Sequence, residues 1–105
     1  MVKIPNKIKS IIEYYIKLLN QNKIPVKSAF LYGSYSKGNY NDLSDIDIAL
    51  VSEVFEGNRI LDRKKIRKIT LSVSSDLEVI PFNPADFNLD NPFAREIIET
   101  GIRIV

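Results

Sequence analysis

Hydrophobic residues recur along the chain with two different periods, and the change of period separates helices from strands. Over residues 6–21 the apolar side chains return every three or four positions, which predicts an amphipathic helix. These apolar positions are Ile8, Ile11, Ile12, Tyr15, Ile16 and Leu19. The same spacing of Ile66, Ile69 and Val73 predicts a second long helix over residues 59–73.

Shorter apolar runs have the length and the flanking residues of strands. We predict strands within residues 26–32, over 45–51 and over 76–82, the last ended by a Pro-rich stretch. A brief helix is predicted over residues 34–38, with Ser34 as its cap. Pro92 opens a short helix over residues 93–100 that Gly101 ends. The apolar tail, residues 102–105, is expected to form a last strand or a docked end.

The order of these elements predicts one small domain over residues 1–105, of the α/β (α+β) class. We expect a small mixed sheet of three to four strands flanked by helices. The length of 105 residues and a composition that is 45% hydrophobic and 27% charged suit a single globular core.

The composition excludes several kinds of catalytic and metal-binding site. The chain has no Cys and no His, which excludes disulfides, a thiolate nucleophile and a His general base. Any bound metal must therefore be held by oxygen, as Mg²⁺, Mn²⁺ and Ca²⁺ are. The net charge of +2 gives no general case for binding nucleic acid or an anionic membrane. No apolar run approaches the ~18 residues that span a bilayer, so we expect a cytoplasmic protein.

Two carboxylates open the second predicted strand. Asp45 and Asp47 stand two positions apart and are expected on one face of that strand, opposite Ile46 and Ile48. Two like charges at that spacing repel each other, and a bound divalent cation removes the penalty. The alternative is that Asp45 belongs to a loop and that Asp47 is an ordinary solvated strand residue.

A Gly-Ser turn stands between the first strand and the brief helix. Gly33 allows a tight turn and a close approach of a ligand to the backbone, while Ser34 and Lys37 offer a hydroxyl and a positive charge to a phosphate. Taken alone, this pair is far more typical of an ordinary strand-to-helix turn with a Ser cap than of a phosphate site. The spacing is that of neither a Walker A loop nor a GxGxxG fingerprint.

The two elements together resemble a known signature. Gly-Ser-Tyr-Ser-Lys-Gly at residues 33–38, followed by Ser-Asp-Ile-Asp-Ile at residues 44–48, is similar to the motif of the polymerase-β-type nucleotidyltransferase superfamily, and most of all to its minimal nucleotidyltransferase (MNT) branch. The resemblance extends to the C-terminal segment, residues 92–101. It implies a polymerase-β-like palm fold.

The resemblance also implies a role for each matching residue. Gly33, Ser34 and Lys37 would hold the phosphates of ATP or another NTP. Asp45 and Asp47 would bind two Mg²⁺ ions, with Mn²⁺ as a possible substitute. A third carboxylate on a later strand, usually an Asp in this superfamily, would complete the metal site and help to deprotonate the acceptor. We expect Glu78 in that position, with Asp76 as the fallback, although a solvated Glu78 is the competing interpretation.

Family resemblance further implies a partner protein. MNT proteins pair with a helical HEPN protein in toxin–antitoxin systems and transfer AMP from ATP to one of its tyrosines. The competing hypothesis is a catalytically weak antitoxin that only binds and occludes its partner. A possible homo-oligomer, paired through the tail at residues 102–105, stays open.

Two further features remain open. The basic run over residues 63–68 is either a solvated helix face or a docking surface for an acidic partner or RNA. No aromatic residue interleaves with these charges, so nucleic acid is the weaker expectation. Tyr32, Tyr35 and Tyr40 flank the Gly-Ser turn, where one of them either stacks on a base or packs in the protein.

Overall fold

The computed structural model describes residues 4–41 and 43–105. Within these ranges four helices and four strands alternate. The helices are α1 (Asn6–Gln21), α2 (Ser34–Lys37), α3 (Arg59–Val73) and α4 (Pro92–Thr100). The strands are β1 (Ser28–Tyr32), β2 (Ile46–Val51), β3 (Leu77–Phe82) and β4 (Ile102–Arg103). In the described ranges, no helix is both long enough and apolar enough to cross a bilayer.

The strands form one mixed sheet in the order β3-β2-β1-β4. β1 pairs antiparallel with both β2 and β4, whereas β2 pairs parallel with β3. The predicted fold class, a mixed sheet flanked by helices, is therefore confirmed, and the tail does supply a short fourth strand. β3 and β4 are the outer strands, so each has one side without a strand neighbour in this sheet.

One face of the sheet packs against α1 and α3. Of the apolar residues of α1 that the periodicity selects, all but the partly buried Ile11 are buried in this core, together with Ile66 of α3. The sheet contributes the alternate residues Ile46, Ile48 and Leu50 of β2. At the centre of the layer, the buried Tyr15 hydroxyl lies 2.6 Å from Thr70 Oγ1, and Thr70 in turn donates to the Ile66 carbonyl.

The other face of the sheet packs against α4. Ala94 and Ile97 of α4 are buried against Phe30, Ala49 and other alternate strand residues. Aromatic rings fill the remaining space: Phe87 lies 5.3 Å from Phe30 and 5.0 Å from Phe82, centroid to centroid. This aromatic layer ends where Asp47 begins, because Asp47 and Ala49 share a face of β2.

The start of α3 is held by a buried carboxylate. Asp62 is fully buried and accepts hydrogen bonds from the amides of Glu56 and Gly57, at 2.9 and 3.0 Å. Asn58 caps the helix by accepting from the Leu61 amide. Lys65 forms an ion pair with Asp62 at 3.5 Å. These bonds join the loop after β2 to the first turn of α3 and so set the position of its arginines.

Three predicted details are wrong at the level of single residues. Ser34 is the first residue of α2, and Gly33, with φ of +74°, occupies the cap position. Asp45 and Asp76 each precede a strand, because the ladder between β2 and β3 begins at Ile46 and Leu77. Asp45 therefore lies in a loop, which was the alternative left open for it, and the face rule of a strand does not apply to it.

Candidate active site

Three polar side chains lie in a row across one end of the sheet. Asp47 of β2 is paired with Tyr32 of β1 and with Glu78 of β3. Paired residues on neighbouring strands project from the same face, about 5 Å apart. Glu78 is therefore beside Asp47 on the face that α4 covers further along the sheet. The row lies where that aromatic layer stops and solvent begins.

Gly33 lies directly against the Asp47 carboxylate. A Cβ built on Gly33 would collide with Asp47 Oδ2 and would lie 3.1 Å from its Cγ. The φ of +74° at Gly33 is also a conformation that favours glycine. Position 33 therefore requires glycine for two reasons: the positive φ of the turn, and the lack of space for a Cβ beside the carboxylate.

The turn after Gly33 is held in place by its own carbonyl. That oxygen accepts from the amides of Ser36 and Lys37, at 3.2 and 3.1 Å, and from the Ser36 hydroxyl at 2.9 Å. Ser34 follows Gly33 as a partly buried residue, and Lys37 is exposed at the last turn of α2. Both side chains are therefore within one helical turn of the Gly33–Asp47 contact.

The carboxylates affect one another electrostatically. Burial is the largest cause that raises the pKa of Asp47 above its ordinary value, and the charges of Asp45 and Glu78 raise it further. Asp76 is not among the charges that raise the Asp47 pKa, and its carbonyl accepts from the Ile46 amide at 2.8 Å. Glu78, and not Asp76, is thus the acid that pairs with Asp47 across the sheet; that it acts as the third carboxylate stays a prediction.

Tyr32 completes the row and is protonated at neutral pH. Burial is the largest cause that raises the pKa of Tyr32 to about 12, followed by the charge of Asp47. Glu78 also raises this pKa, while Arg63 and Arg59 lower it. The phenol therefore stands between negative charges on the strands and positive charges on α3.

The two arginines were not identified as site residues from the sequence. The Arg59 guanidinium lies 5.8 Å from the centroid of the Phe93 ring, and Phe93 meets Tyr32 edge-to-face at 6.1 Å. Arg63 follows one turn later on α3. Their spacing of four residues at the start of a helix was the available signal, but only the tertiary fold brings that helix beside β3.

The remaining tyrosines near the turn have packing contacts. Tyr35 is buried in the core below α1, and its ring stacks on that of Tyr40 at 4.6 Å with an interplanar angle of 20°. Tyr40 is 38% exposed. Packing in the protein therefore accounts for Tyr32 and Tyr35, whereas one face of Tyr40 is open to solvent.

The donor atoms suit a hard cation. Asp45, Asp47 and Glu78 offer only carboxylate oxygens, and Mg²⁺ is held in proteins by one or two carboxylates plus water and substrate phosphates. Within residues 4–41 and 43–105, no three acidic side chains stand close enough to form a complete metal cage. A cation here would thus need further oxygen ligands from a phosphate and from water, as is usual for Mg²⁺.

Comparison with known proteins agrees with this geometry. The model of the nucleotidyltransferase domain family matches residues 12–105. A protein of Methanocaldococcus jannaschii with the name "putative protein adenylyltransferase" is 30% identical over 98 residues, which cover 91% of this chain and 95% of that protein.

A solved structure has a similar fold. The crystal structure of a "putative nucleotidyltransferase" from Sulfolobus solfataricus aligns with a TM-score of 0.65 at 14% identity, over 92% of this chain and 78% of that one. At that identity the likeness concerns the fold alone. The family match spans both the Gly33 turn and the row of acids, and the chain belongs to the nucleotidyltransferase domain family.

Proposed function

We propose that this protein transfers AMP from ATP to a hydroxyl of an acceptor protein and depends on Mg²⁺ to do so. The observation that carries the proposal is the contact of Asp47 with Gly33, combined with the pairing of Asp47 and Glu78. It brings two acids to the turn that, by its position and its glycine, suits a phosphate chain. The name of the Methanocaldococcus relative supports a protein as acceptor.

The residues have distinct roles in this proposal. Gly33 and Ser34 hold the outer phosphates of ATP, and Lys37 adds a positive charge to them. Asp45, Asp47 and Glu78 hold up to two Mg²⁺ ions, for which Mn²⁺ is a possible substitute. When bound, such ions neutralise phosphate charge and lower the pKa of a coordinated hydroxyl.

The proposed reaction is a substitution at the α-phosphorus. An oxygen of the acceptor hydroxyl forms a bond to that phosphorus, and the bond from the phosphorus to the oxygen bridging to the β-phosphate breaks. Glu78 accepts the hydroxyl proton, and pyrophosphate leaves with the electron pair of the broken bond. Positioning and charge neutralisation supply most of the acceleration in phosphoryl-type transfer.

The acceptor in this proposal is a tyrosine of a HEPN-type partner, and the biological role is that of the antitoxin in a toxin–antitoxin pair. The row of acids lies at one end of the sheet with Asp45 and Glu78 exposed. That openness supports an acceptor delivered on the surface of another protein. The family resemblance supports the partner class.

A second candidate is an antitoxin that acts by binding alone. The absence of a complete three-acid cage in the described residues favours it, as does a Glu rather than an Asp beside Asp47. In that case inhibition of the partner would survive the loss of Asp47.

One experiment separates the two candidates. ATP labelled at the α-phosphate is incubated with Mg²⁺, the protein and the product of the neighbouring gene. Transfer predicts label on that product, lost with EDTA, in Asp45→Ala and in Asp47→Asn. Binding alone predicts no label and full inhibition of the partner by Asp47→Asn. Label that persists in both variants would refute the roles assigned to these acids.

A further inference from the structure

A groove lies along the outer side of β3, and Glu78 of the candidate active site is part of its lining. It has a volume of about 560 Å³ and lies between α3 and β3. Its lining includes Ile60, Arg63, Lys64, Arg67, Leu71 and Glu78. Because β3 is an outer strand, no further strand of the described ranges closes this side.

The cations of the groove have no carboxylate partner among the described residues. The ion pairs of the described residues involve Lys65 and Arg95, which lie outside the groove, and Arg63, Lys64 and Arg67 take part in none of them. Like charges four positions apart on a helix repel each other, as Arg63 and Arg67 do. A negatively charged ligand would relieve this repulsion.

Apolar side chains interrupt the positive surface. Ile60 is 70% exposed and Leu71 is 59% exposed, and they lie at opposite ends of the helical part of the lining. Large aliphatic side chains left in water beside a row of cations are typical of a protein contact surface. They favour a ligand that carries both carboxylates and aliphatic side chains.

Nucleic acid suits this groove less well. None of the described residues that line it is aromatic, so it has no platform on which bases stack. Glu78 at one end adds a negative charge, which repels a phosphate backbone. An acidic polypeptide avoids both difficulties.

The groove and the candidate active site share one residue, Glu78. Arg63 also lines the groove, and its charge acts on Tyr32. Leu77 and Val79 face α3, whereas Glu78 alternates with them and faces the side of α4, so a chain lying in the groove would reach the row of acids around the outer edge of β3.

We propose that this groove docks an acidic, leucine-containing segment of the acceptor protein and so delivers the acceptor hydroxyl to Glu78. The identification of the docked segment as the acceptor rests on the proposed transfer function. The proposal that the groove is a binding surface does not rest on that function, because the charge and the exposed apolar residues of the groove are independent of AMP transfer.

The test uses the full chain and three fluorescein-labelled probes. Two short peptides carry one tyrosine and several leucines, with glutamates in one and lysines at the same positions in the other. The third probe is a single-stranded RNA. Binding is measured by fluorescence anisotropy, and ATP binding in Mg²⁺ is measured separately by calorimetry.

The chain offers matched controls on the same helix. Arg67 lines the groove and its exposed neighbour Lys68 does not, so Arg67→Glu is compared with Lys68→Glu. Leu71 lines the groove and the exposed Leu61 does not, so Leu71→Ser is compared with Leu61→Ser. Thermal melts followed by circular dichroism show which variants fold.

The acidic peptide is expected to bind at least about tenfold more tightly than the basic one, because it complements the charge of the groove. Arg67→Glu should weaken it by about tenfold and Lys68→Glu by less than about twofold. Leu71→Ser should weaken it more than Leu61→Ser does. ATP binding should be the same in all four variants. If Arg67→Glu does not fold, the comparison of Leu71→Ser with Leu61→Ser tests the proposal.

Equal affinity for the two peptides, or equal losses within each matched pair, would overturn the groove as the docking site. Preference for the RNA, lost in Arg67→Glu, would replace the acidic segment by nucleic acid. Failure of the unsubstituted protein to bind ATP, with the peptide pattern intact, would refute the transfer function and leave the docking surface standing.

Discussion

The carboxylate of Asp47 lies at the position that the Cβ of any residue in place of Gly33 would occupy. The contact joins the turn after β1 to the neighbouring strand β2. A change at either residue therefore alters the other, and the first predictions concern this pair.

Replacing Gly33 by Ala is expected to abolish ATP binding and to destabilise the fold. The methyl group collides with Asp47 Oδ2, and the φ of +74° costs an L-residue about 1–2 kcal/mol. Gly57→Ala is the matched control, since Gly57 has φ of +88° and lies beside Asp86 instead. Calorimetric titration and thermal melts should show lost stability in both variants but lost ATP binding only in Gly33→Ala.

Asp47→Asn is expected to stabilise the metal-free protein at neutral pH. The raised pKa means that the folded state holds the Asp47 proton more tightly than the unfolded chain does, so ionisation costs stability. The gain is below about 1 kcal/mol, because water screens a partly exposed carboxylate. It should shrink as the pH falls through the raised pKa toward the ordinary value of 3.8.

Urea unfolding in EDTA at several pH values measures this gain. Asp76→Asn serves as its control, because Asp76 does not contribute to the Asp47 pKa shift. Added Mg²⁺ and ATP should reverse the order, raising the melting temperature of the unsubstituted protein but not that of Asp47→Asn. A variant less stable than the parent in EDTA would contradict the prediction.

Glu78→Gln should slow AMP transfer by about 10²-fold or more, since an amide cannot accept the acceptor proton. Asp76→Asn should change the rate by less than about twofold, because surface charges away from the reacting atoms have small effects. Initial rates with labelled ATP compare the two variants. A larger loss in Asp76→Asn would transfer the role of third carboxylate to Asp76.

Tyr15→Phe is expected to destabilise the protein by about 1 kcal/mol at neutral pH, through loss of the hydrogen bond to Thr70. Burial raises the pKa of Tyr15 to about 12 from 10.0, so the folded state resists ionisation. This contribution to stability is complete below pH 10.0 and is lost as the pH rises toward about 12.

Alkaline unfolding followed by circular dichroism tests this prediction. Tyr15→Phe should lose less stability than the parent over that pH range, since it has no proton to release there. Tyr14→Phe is the control, because Tyr14 is 54% exposed on the same helix. Identical alkaline slopes for the parent and Tyr15→Phe would show that the buried hydroxyl does not titrate in this range.

Local patterns predicted one half of the site. The alternation of Ile46, Ile48 and Leu50 put Asp47 on the opposite face of β2, and the structure agrees because that face borders solvent at the strand end. Gly33 was also expected at a tight turn. Its contact with Asp47 depends on the register of β1 against β2, which no local pattern contains.

The other half of the candidate site, Glu78 and the two arginines, depends on contacts between elements that are distant in the sequence. Glu78 lies beside Asp47 only because β3 pairs parallel with β2, and the spacing of residues along the chain does not specify that neighbour. The charges of Arg59 and Arg63 lower the pKa of Tyr32 from a helix whose start is held by buried Asp62. The predicted strands began one residue too early, at Asp45 and Asp76, because the hydrogen-bonded ladder between β2 and β3 begins only at Ile46 and Leu77.

The position of β3 as the outermost strand has a consequence for selectivity. An enzyme that encloses its second reactant in a deep cavity can reject molecules by size, whereas an acid on the rim of a sheet gives no such filter. Glu78 is exposed on that rim, so in the proposed transfer neither a bulky folded acceptor nor a small alcohol would be rejected by size. Choice between them must then come from affinity for the surrounding surface, so substitutions outside the reaction centre would redirect this protein more readily than changes within it.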